Sequence, residues 1–495
     1  MPEHFRALIV ILALASLVFA IARTPVCAVA TAAPDYLRRR NLWIAVTLAA
    51  FLPGSYWVYA AIAGLLLVAT SERESNKLAL FYLLLLAVPA IQAEIPGIGP
   101  IRFLFTLTHP RLLALTVLLP SFLSSIARAQ REPVPNSLAD KLLACYLLYG
   151  LGIQWVDDSL TNTLRSAFYA FVDVVLPYYV ASRSIRTLAD ARDALAALVV
   201  AAMISAALGS FEFIRHWLLY ASLPDALGQP WQFGHYLPRN DSLRAAAATG
   251  QPIVLGFVVM VALGGWLFLS RRMQWWHRLA GSALLGIGLV APISRGPWVG
   301  AALLAVTFVA TGPFAATRLL QAGTLAVASL PVIAATPAAQ QVMDYLPFIG
   351  NVEADNVTYR QRLFDVALDV IGQHPLFGSP DFLETPELQQ MRQGEGLIDI
   401  VNTYLGIALR SGLIGLALFC GFFAAVAGGL VTALRRHAGP QDELRWLGRS
   451  LLAMLVAMLA TIATVSSISV VATIYWSIAG LIVAYGRLSV REGAC

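Results

Sequence analysis

Three arginine-bearing stretches have the residue types and spacing for phosphate chemistry. Arg244 lies in Asn240-Asp-Ser-Leu-Arg-Ala-Ala-Ala-Ala-Thr-Gly-Gln-Pro-Ile253 and Arg295 in Pro292-Ile-Ser-Arg-Gly-Pro-Trp298. Arg360 and Arg362 share Tyr359-Arg-Gln-Arg362. A guanidinium is a planar fork that meets phosphate oxygens two at a time, so these four arginines are candidate ligands of a pyrophosphate. Only Lys77 and Lys141 are lysines, so arginine is this chain's ordinary cation. Any one arginine could equally snorkel to lipid headgroups or neutralise a nearby acid. The case rests on several of them sharing one face, two beside glycine or proline turns.

Carboxylates come next. Glu395 and Asp399 precede Asn402-Thr-Tyr404, which opens an apolar helix. A carboxylate there could take the proton from a sugar hydroxyl, as a general base must. Asp399, Glu395 and Asn402 are therefore the candidate catalytic residues; the alternative is that Asp399 merely caps the helix. His374, directly before Pro375, reads as a turn histidine. Asp173 and Glu212 sit in or near apolar runs, where an acid is functional or pairs with a neighbour such as Arg165 or Arg215. Cys27, Cys145, Cys420 and Cys495 are scattered without a CxxC spacing, which indicates neither a disulfide framework nor a zinc site.

The elements that must position these residues are membrane helices. The 495-residue chain is 58% hydrophobic and 13% charged, about half the charged fraction of a soluble domain, and its mean hydropathy is +0.71. Apolar runs long enough to cross a bilayer recur along its length, and the alternating pattern of a membrane barrel is absent. The expected fold is all-α: a polytopic transmembrane bundle of about 12–15 spans with one long periplasmic loop carrying an amphipathic helix. The net charge of +6 reflects cytoplasmic loops under the positive-inside bias. A continuous basic face with stacking aromatics is lacking, so no nucleic-acid partner is expected.

Loop charges orient the runs. Ser71–Lys77, Arg128–Arg131, Arg183–Arg186, Arg271-Arg272 and Arg435-Arg436 are assigned to the cytoplasm. Alternation then puts 155–162, 215–248, the Ser294-Arg295-Gly296 turn and the loop 336–401 outside. Pro53-Gly54 splits 42–70 into two short helices or a re-entrant hairpin. In the long loop, Leu363, Val366, Ala367, Val370 and Ile371 repeat at helical spacing, and Pro375 ends that helix. Such a helix lies flat on the outer surface or caps a cavity between spans. Three parts are expected: a bundle at 1–234, a core at 235–425 that includes the loop, and closing helices at 426–495.

Arg244-Ala-Ala-Ala-Ala-Thr-Gly-Gln-Pro-Ile253, Ile293-Ser-Arg-Gly-Pro-Trp298, His374-Pro-Leu-Phe-Gly378, Asn402-Thr-Tyr-Leu405 and Ser411-Gly-Leu-Ile-Gly415 resemble, in order, the O-antigen ligase and Wzy-type polymerase family. The resemblance covers roughly 235–425. It implies a bacterial inner-membrane glycosyltransferase that moves a glycan from undecaprenyl pyrophosphate to an acceptor on the periplasmic face. The family's pyrophosphate arginines map onto Arg244, Arg295 and Arg360 or Arg362, with no cofactor and no metal. The implied partners are the lipid-linked oligosaccharide, the bilayer, a flippase and a chain-length regulator. Many members, ligases especially, have a histidine before the Asn-x-Tyr-Leu stretch, where this chain has Val401. A valine moves no proton, and the departure tilts the reading from ligase to polymerase of exopolysaccharide or O-antigen repeat units. A flippase or other polysaccharide transporter is the rival from another class, and an assembly subunit a third.

Overall fold

The computed structural model describes residues 1–130, 136–230, 238–239, 242–334, 354–392, 398, 400–437, 439 and 442–492. It is a helical bundle. The helices are α1 (Glu3–Val29), α2 (Ala33–Phe51), α3 (Tyr56–Ser71), α4 (Lys77–Leu84), α5 (His109–Ala129), α6 (Leu138–Asp157), α7 (160–184), α8 (Leu188–Arg215), α9 (Pro252–Leu269), α10 (Trp275–Val290), α11 (Arg295–Ala310), α12 (Ala315–Ala334), α13 (Ala354–Gln373), α14 (Thr403–Arg436), α15 (Glu443–Thr461) and α16 (Val471–Glu492). Two small antiparallel hairpins interrupt them: β1 (Ala93–Pro96) with β2 (Phe103–Leu107), and β3 (Pro238–Arg239) with β4 (Ser242–Leu243).

Local chemistry explains where the helices start and bend. Ser137 with Asp140, and Thr187 with Asp190, form reciprocal capping boxes at the starts of α6 and α8. Pro53-Gly54 separates α2 from α3 as two helices, with Gly54 at φ 66°. Pro120 and Pro177 each follow a π turn, Ala114–Leu118 in α5 and Phe171–Val175 in α7. The wider turn accommodates a proline that has no N–H to donate.

Seven described helices are long and apolar enough to cross a membrane. That is fewer than the apolar runs in the sequence, because some runs are consumed as interior. The apolar stretch 77–93 forms only α4 before turning into β1, and Leu78 through Val88 are all shielded. The bundle is layered accordingly: 83% of the most apolar window of α8 is buried inside the protein, against 39% for α1 and 33% for α14. Small residues allow the close approaches; a Cβ on Gly288 of α10 would overlap Ala206 of α8.

Segments assigned to the cytoplasm by charge do gather at one end. Buried Arg39 binds Glu74 and Asp193, both at 2.7 Å, and Thr31 donates to Asp193 at 2.6 Å. Burial works against ionisation of Glu74, but hydrogen bonds and charge from Arg39 and Arg38 outweigh it, so its carboxyl titrates below the ordinary range. Arg192 and Arg272 converge on Glu443 at the same end. From Asp193 to Glu212, α8 rises about 28 Å, and the candidate site lies at that far end.

Two expected pairings differ. Asp173 pairs with Arg111 at 2.8 Å, not with Arg165, which donates instead to the carbonyls of Phe103 and Leu104. Glu212 binds backbone amides rather than Arg215. Arg111 is 62 positions from Asp173, and Ala246 and Ala247 are 34 and 35 from Glu212; only Leu219 is near Glu212 in sequence.

Candidate functional site

Glu212, fully buried near the end of α8, organises the site. Its carboxylate accepts backbone N–H bonds from Leu219 at 2.9 Å, Ala246 at 2.9 Å and Ala247 at 2.8 Å. The last two fix the segment that follows Arg244. That segment also pairs with the turn before α11: Ala245 N–H donates to the Ala291 carbonyl at 3.2 Å, and Arg244 Nε donates to the Pro292 carbonyl at 3.2 Å. Arg295 is three residues beyond Pro292 and is the first residue of α11, so two arginines distant in sequence sit on one end of the bundle. Both are half-buried. The N-terminal end of α11 adds its own partial positive charge.

The backbone here is strained. Of the five described non-glycine residues at positive φ, Ala247 (45°), Ile293 (45°) and Ser469 (50°) belong to this site. Such conformations persist only where the surroundings over-determine them, and they concentrate at working sites.

A third segment, between α15 and α16, closes the arrangement. It carries Thr461, Thr464, Ser466, Ser467 and Ser469. A Cβ on Gly296 would overlap Thr464 Oγ1, so the turn after Arg295 lies directly against this segment. Ser469 Oγ reaches the Thr249 carbonyl at 3.5 Å. On its other side, Thr403 N–H donates to Ile462 O at 3.0 Å and Thr403 Oγ1 to Val465 O at 2.7 Å. Ser466 Oγ donates to Ile400 O at 2.6 Å. The hydroxyl segment therefore joins the arginine turns to the start of α14.

Asn402 is the N-cap of α14; its side-chain oxygen accepts from Tyr404 N–H at 2.9 Å and Leu405 N–H at 3.3 Å. Glu395 and Asp399 lie outside the described residues. Arg360 and Arg362 are on the exposed side of α13. The other side of α13 buries Leu363, Ala367, Val370 and Ile371 against Phe382, Leu388, Met391, Ala408 and Leu409. The amphipathic helix thus packs on its own small core over the start of α14, and that docking keeps its arginines at the site's end of the bundle.

His374-Pro-Leu-Phe-Gly378 has a structural role. It turns back onto a break in α14, where Leu413 N–H donates to Pro375 O at 2.8 Å and Ser379 N–H to Leu409 O at 2.9 Å. Gly412 adopts φ 63°, ψ −170°, a conformation open in practice only to glycine. Tyr149 Oη donates to both Leu376 O and Ser411 O at 3.1 Å. His374 itself is exposed.

The hydroxyl segment was missed in the sequence, where 426–495 reads only as closing helices. Its signal was there: five hydroxyls within the nine residues 461–469.

Residues 280–420 match the family model described as O-antigen ligase. That stretch of the chain is similar to the O-antigen ligase family. The match takes in Arg295, α13, the His374–Gly378 turn and the start of α14; Arg244 and the hydroxyl segment lie beyond it. No curated protein matches the chain. The match, together with seven apolar helices among the described residues, supports a multi-pass membrane protein with an O-antigen ligase-type region.

Proposed function

We propose that the protein polymerises exopolysaccharide or O-antigen repeat units, taking the growing glycan from undecaprenyl pyrophosphate on the periplasmic face of the inner membrane. The observation that carries this reading is the pairing of the Arg244 segment with the turn that precedes Arg295. An acceptor hydroxyl attacks the anomeric carbon, the bond to the pyrophosphate oxygen breaks, and the negative charge collects on that oxygen. Pyrophosphate is already a good leaving group once its developing charge is clamped. Arg244 and Arg295 supply preorganised donors, with Arg360 and Arg362 on α13 as further phosphate ligands. The acceptor's proton passes to Asp399 or Glu395, and Asn402 fixes the helix start beside them.

Ligation to a lipid A-core sugar is the second reading, favoured by the family description. Val401, in the position where many ligases carry a histidine, weighs for polymerisation. Transport is a poor fit, because the candidate site gathers at one end of the bundle and does not line a path through it. A flippase and a chain-length regulator remain the proposed working partners.

The test is Arg295→Ala and Arg244→Ala in a deletion strain. Losing one preorganised donor should slow transfer about 10²–10³-fold while the protein still inserts, leaving single repeat units on the periplasmic face. Wild-type polymer from Arg295→Ala refutes the assignment. Full-length polymer that stays on its lipid carrier would identify a ligase. Units confined to the cytoplasmic face would identify a flippase.

A further inference from the structure

The opposite end of the bundle holds a second arginine cluster that the transfer reading does not use. Where the ends of α5, α7 and α16 meet there is a cleft of about 190 Å³. Arg128, Arg183, Arg186, Arg487 and Arg491 line it, with Ser182 and Leu488 between them. These arginines come from three separate helix ends, so the tertiary structure and not a local sequence run brings them together. From Val471 to Arg487, α16 rises about 24 Å, which sets the cleft on the far side of the bundle from Arg295.

Among the described residues, Asp140 is the carboxylate that serves the cluster, 2.8 Å from Arg183 and 3.6 Å from Arg487. Asp140 is shared further, capping α6 through Ser137 and accepting from Tyr178 at 2.8 Å. Asp190, near Arg186 in sequence, is occupied in the cap of α8. Arg487 donates through Nη1 to Ser182 O at 2.7 Å, while its shielded Nη2 makes no hydrogen bond and faces the Asp140 carboxylate only at ion-pair distance, 3.6 Å. A shielded guanidinium nitrogen with its carboxylate beyond hydrogen-bond reach is under-satisfied, and an acidic oxygen in the cleft would supply the missing bond. Five guanidiniums, two of them held by Asp140, call for a ligand with several anionic oxygens.

We propose that this cleft binds a phosphate group, carried either by an anionic phospholipid headgroup or by a phosphorylated solute. Guanidiniums match phosphate oxygens in geometry as well as charge. The cavity is smaller than the roughly 300 Å³ at which pockets for drug-sized molecules begin, so it fits a phosphate and its ester linkage, not an entire nucleotide. The positive-inside bias alone would scatter arginines along this edge; it does not gather five of them, from three helix ends, around one cleft. The assignment is independent of the glycan-transfer reading.

The test uses the full-length protein in nanodiscs of pure phosphatidylcholine, titrated in separate series with phosphatidylglycerol and with inorganic phosphate. The melting temperature is followed for wild type and for Arg128→Gln/Arg491→Gln, two exposed arginines whose loss should leave the fold intact. A rise with phosphatidylglycerol whose midpoint moves about 30-fold in the double variant establishes a headgroup site. The same behaviour with inorganic phosphate alone establishes a solute site. No rise with either ligand, or a rise that the double variant retains unchanged, overturns the proposal. Arg487→Lys, which keeps the charge and loses the fork, should weaken whichever response wild type shows.

Discussion

Replacing Glu212 by glutamine tests the organisation of the candidate site with one atom exchanged. The carboxylate is wholly buried and accepts from three backbone amides at 2.8–2.9 Å. Ala246 and Ala247 share one oxygen and Leu219 takes the other. A glutamine oxygen can keep the Ala246 and Ala247 bonds. Its NH₂ would then face the Leu219 N–H, donor against donor. The change removes one hydrogen bond to a charged group, worth about 1.5–3 kcal/mol, weakens the other two, and strands a buried N–H. The expected loss of stability is about 2–4 kcal/mol. Function should suffer separately, because Ala247 is held at φ 45° by this carboxylate and the adjacent Arg244 is held by the Pro292 carbonyl. A shift of about 1 Å in a positioning group costs on the order of 10²-fold in rate. The assay is thermal unfolding of the purified protein, together with elongation of lipid-linked glycan well below the lowered melting temperature. Wild-type melting and wild-type elongation in Glu212→Gln would refute the claim that this acid holds the arginine segment.

Gly412→Ala should destabilise the protein by about 3 kcal/mol or more, since its φ of 63° is strained for alanine and the new Cβ would overlap the Leu376 carbonyl; proteolysis near 374–379 should rise with it, and an unchanged digestion pattern would argue against the clamp. The Glu74 carboxyl titrates below its ordinary value in the folded protein, so its contribution is fully present above the unfolded value of about 4.3 and is lost as pH falls through the lower folded value. The stability gap between wild type and Glu74→Gln should therefore be constant at neutral pH and close in acid, and a gap that widened in acid would reverse the assignment. Thr403→Val removes the hydroxyl that donates to Val465 and leaves that buried carbonyl unpaired, lowering stability by about 1–3 kcal/mol; an unaltered melting curve would mean the hydroxyl segment is not tied to α14 in this way.

The membrane class, the break at Pro53-Gly54, the helix over Leu363–Ile371 and its end before Pro375 were legible because each depends on a few consecutive residues. The turns that carry Arg244 and Arg295 were legible too, since glycine and proline mark the places where an apolar chain reverses. The hydroxyl segment was less legible: serine and threonine are common in apolar helices, and only the contacts of Thr403 and Gly296 show that these hydroxyls join three segments. Arg111 could not be matched to Asp173 from sequence either, because the two lie 62 positions apart.

Hydropathy and charge by themselves determined that this chain is a helical membrane protein, and which loops share an end, because the cost of burying charge in a bilayer acts residue by residue. Its motif order pointed to the O-antigen ligase likeness that residues 280–420 show. Tertiary structure alone decided that Glu212 serves backbone amides rather than a neighbouring arginine, that His374–Gly378 locks a broken helix, and that five arginines from three helix ends line one cleft. A hydrogen bond or ion pair acts over a few ångströms of space whatever the separation along the chain, so these arrangements exist only once the helices have packed.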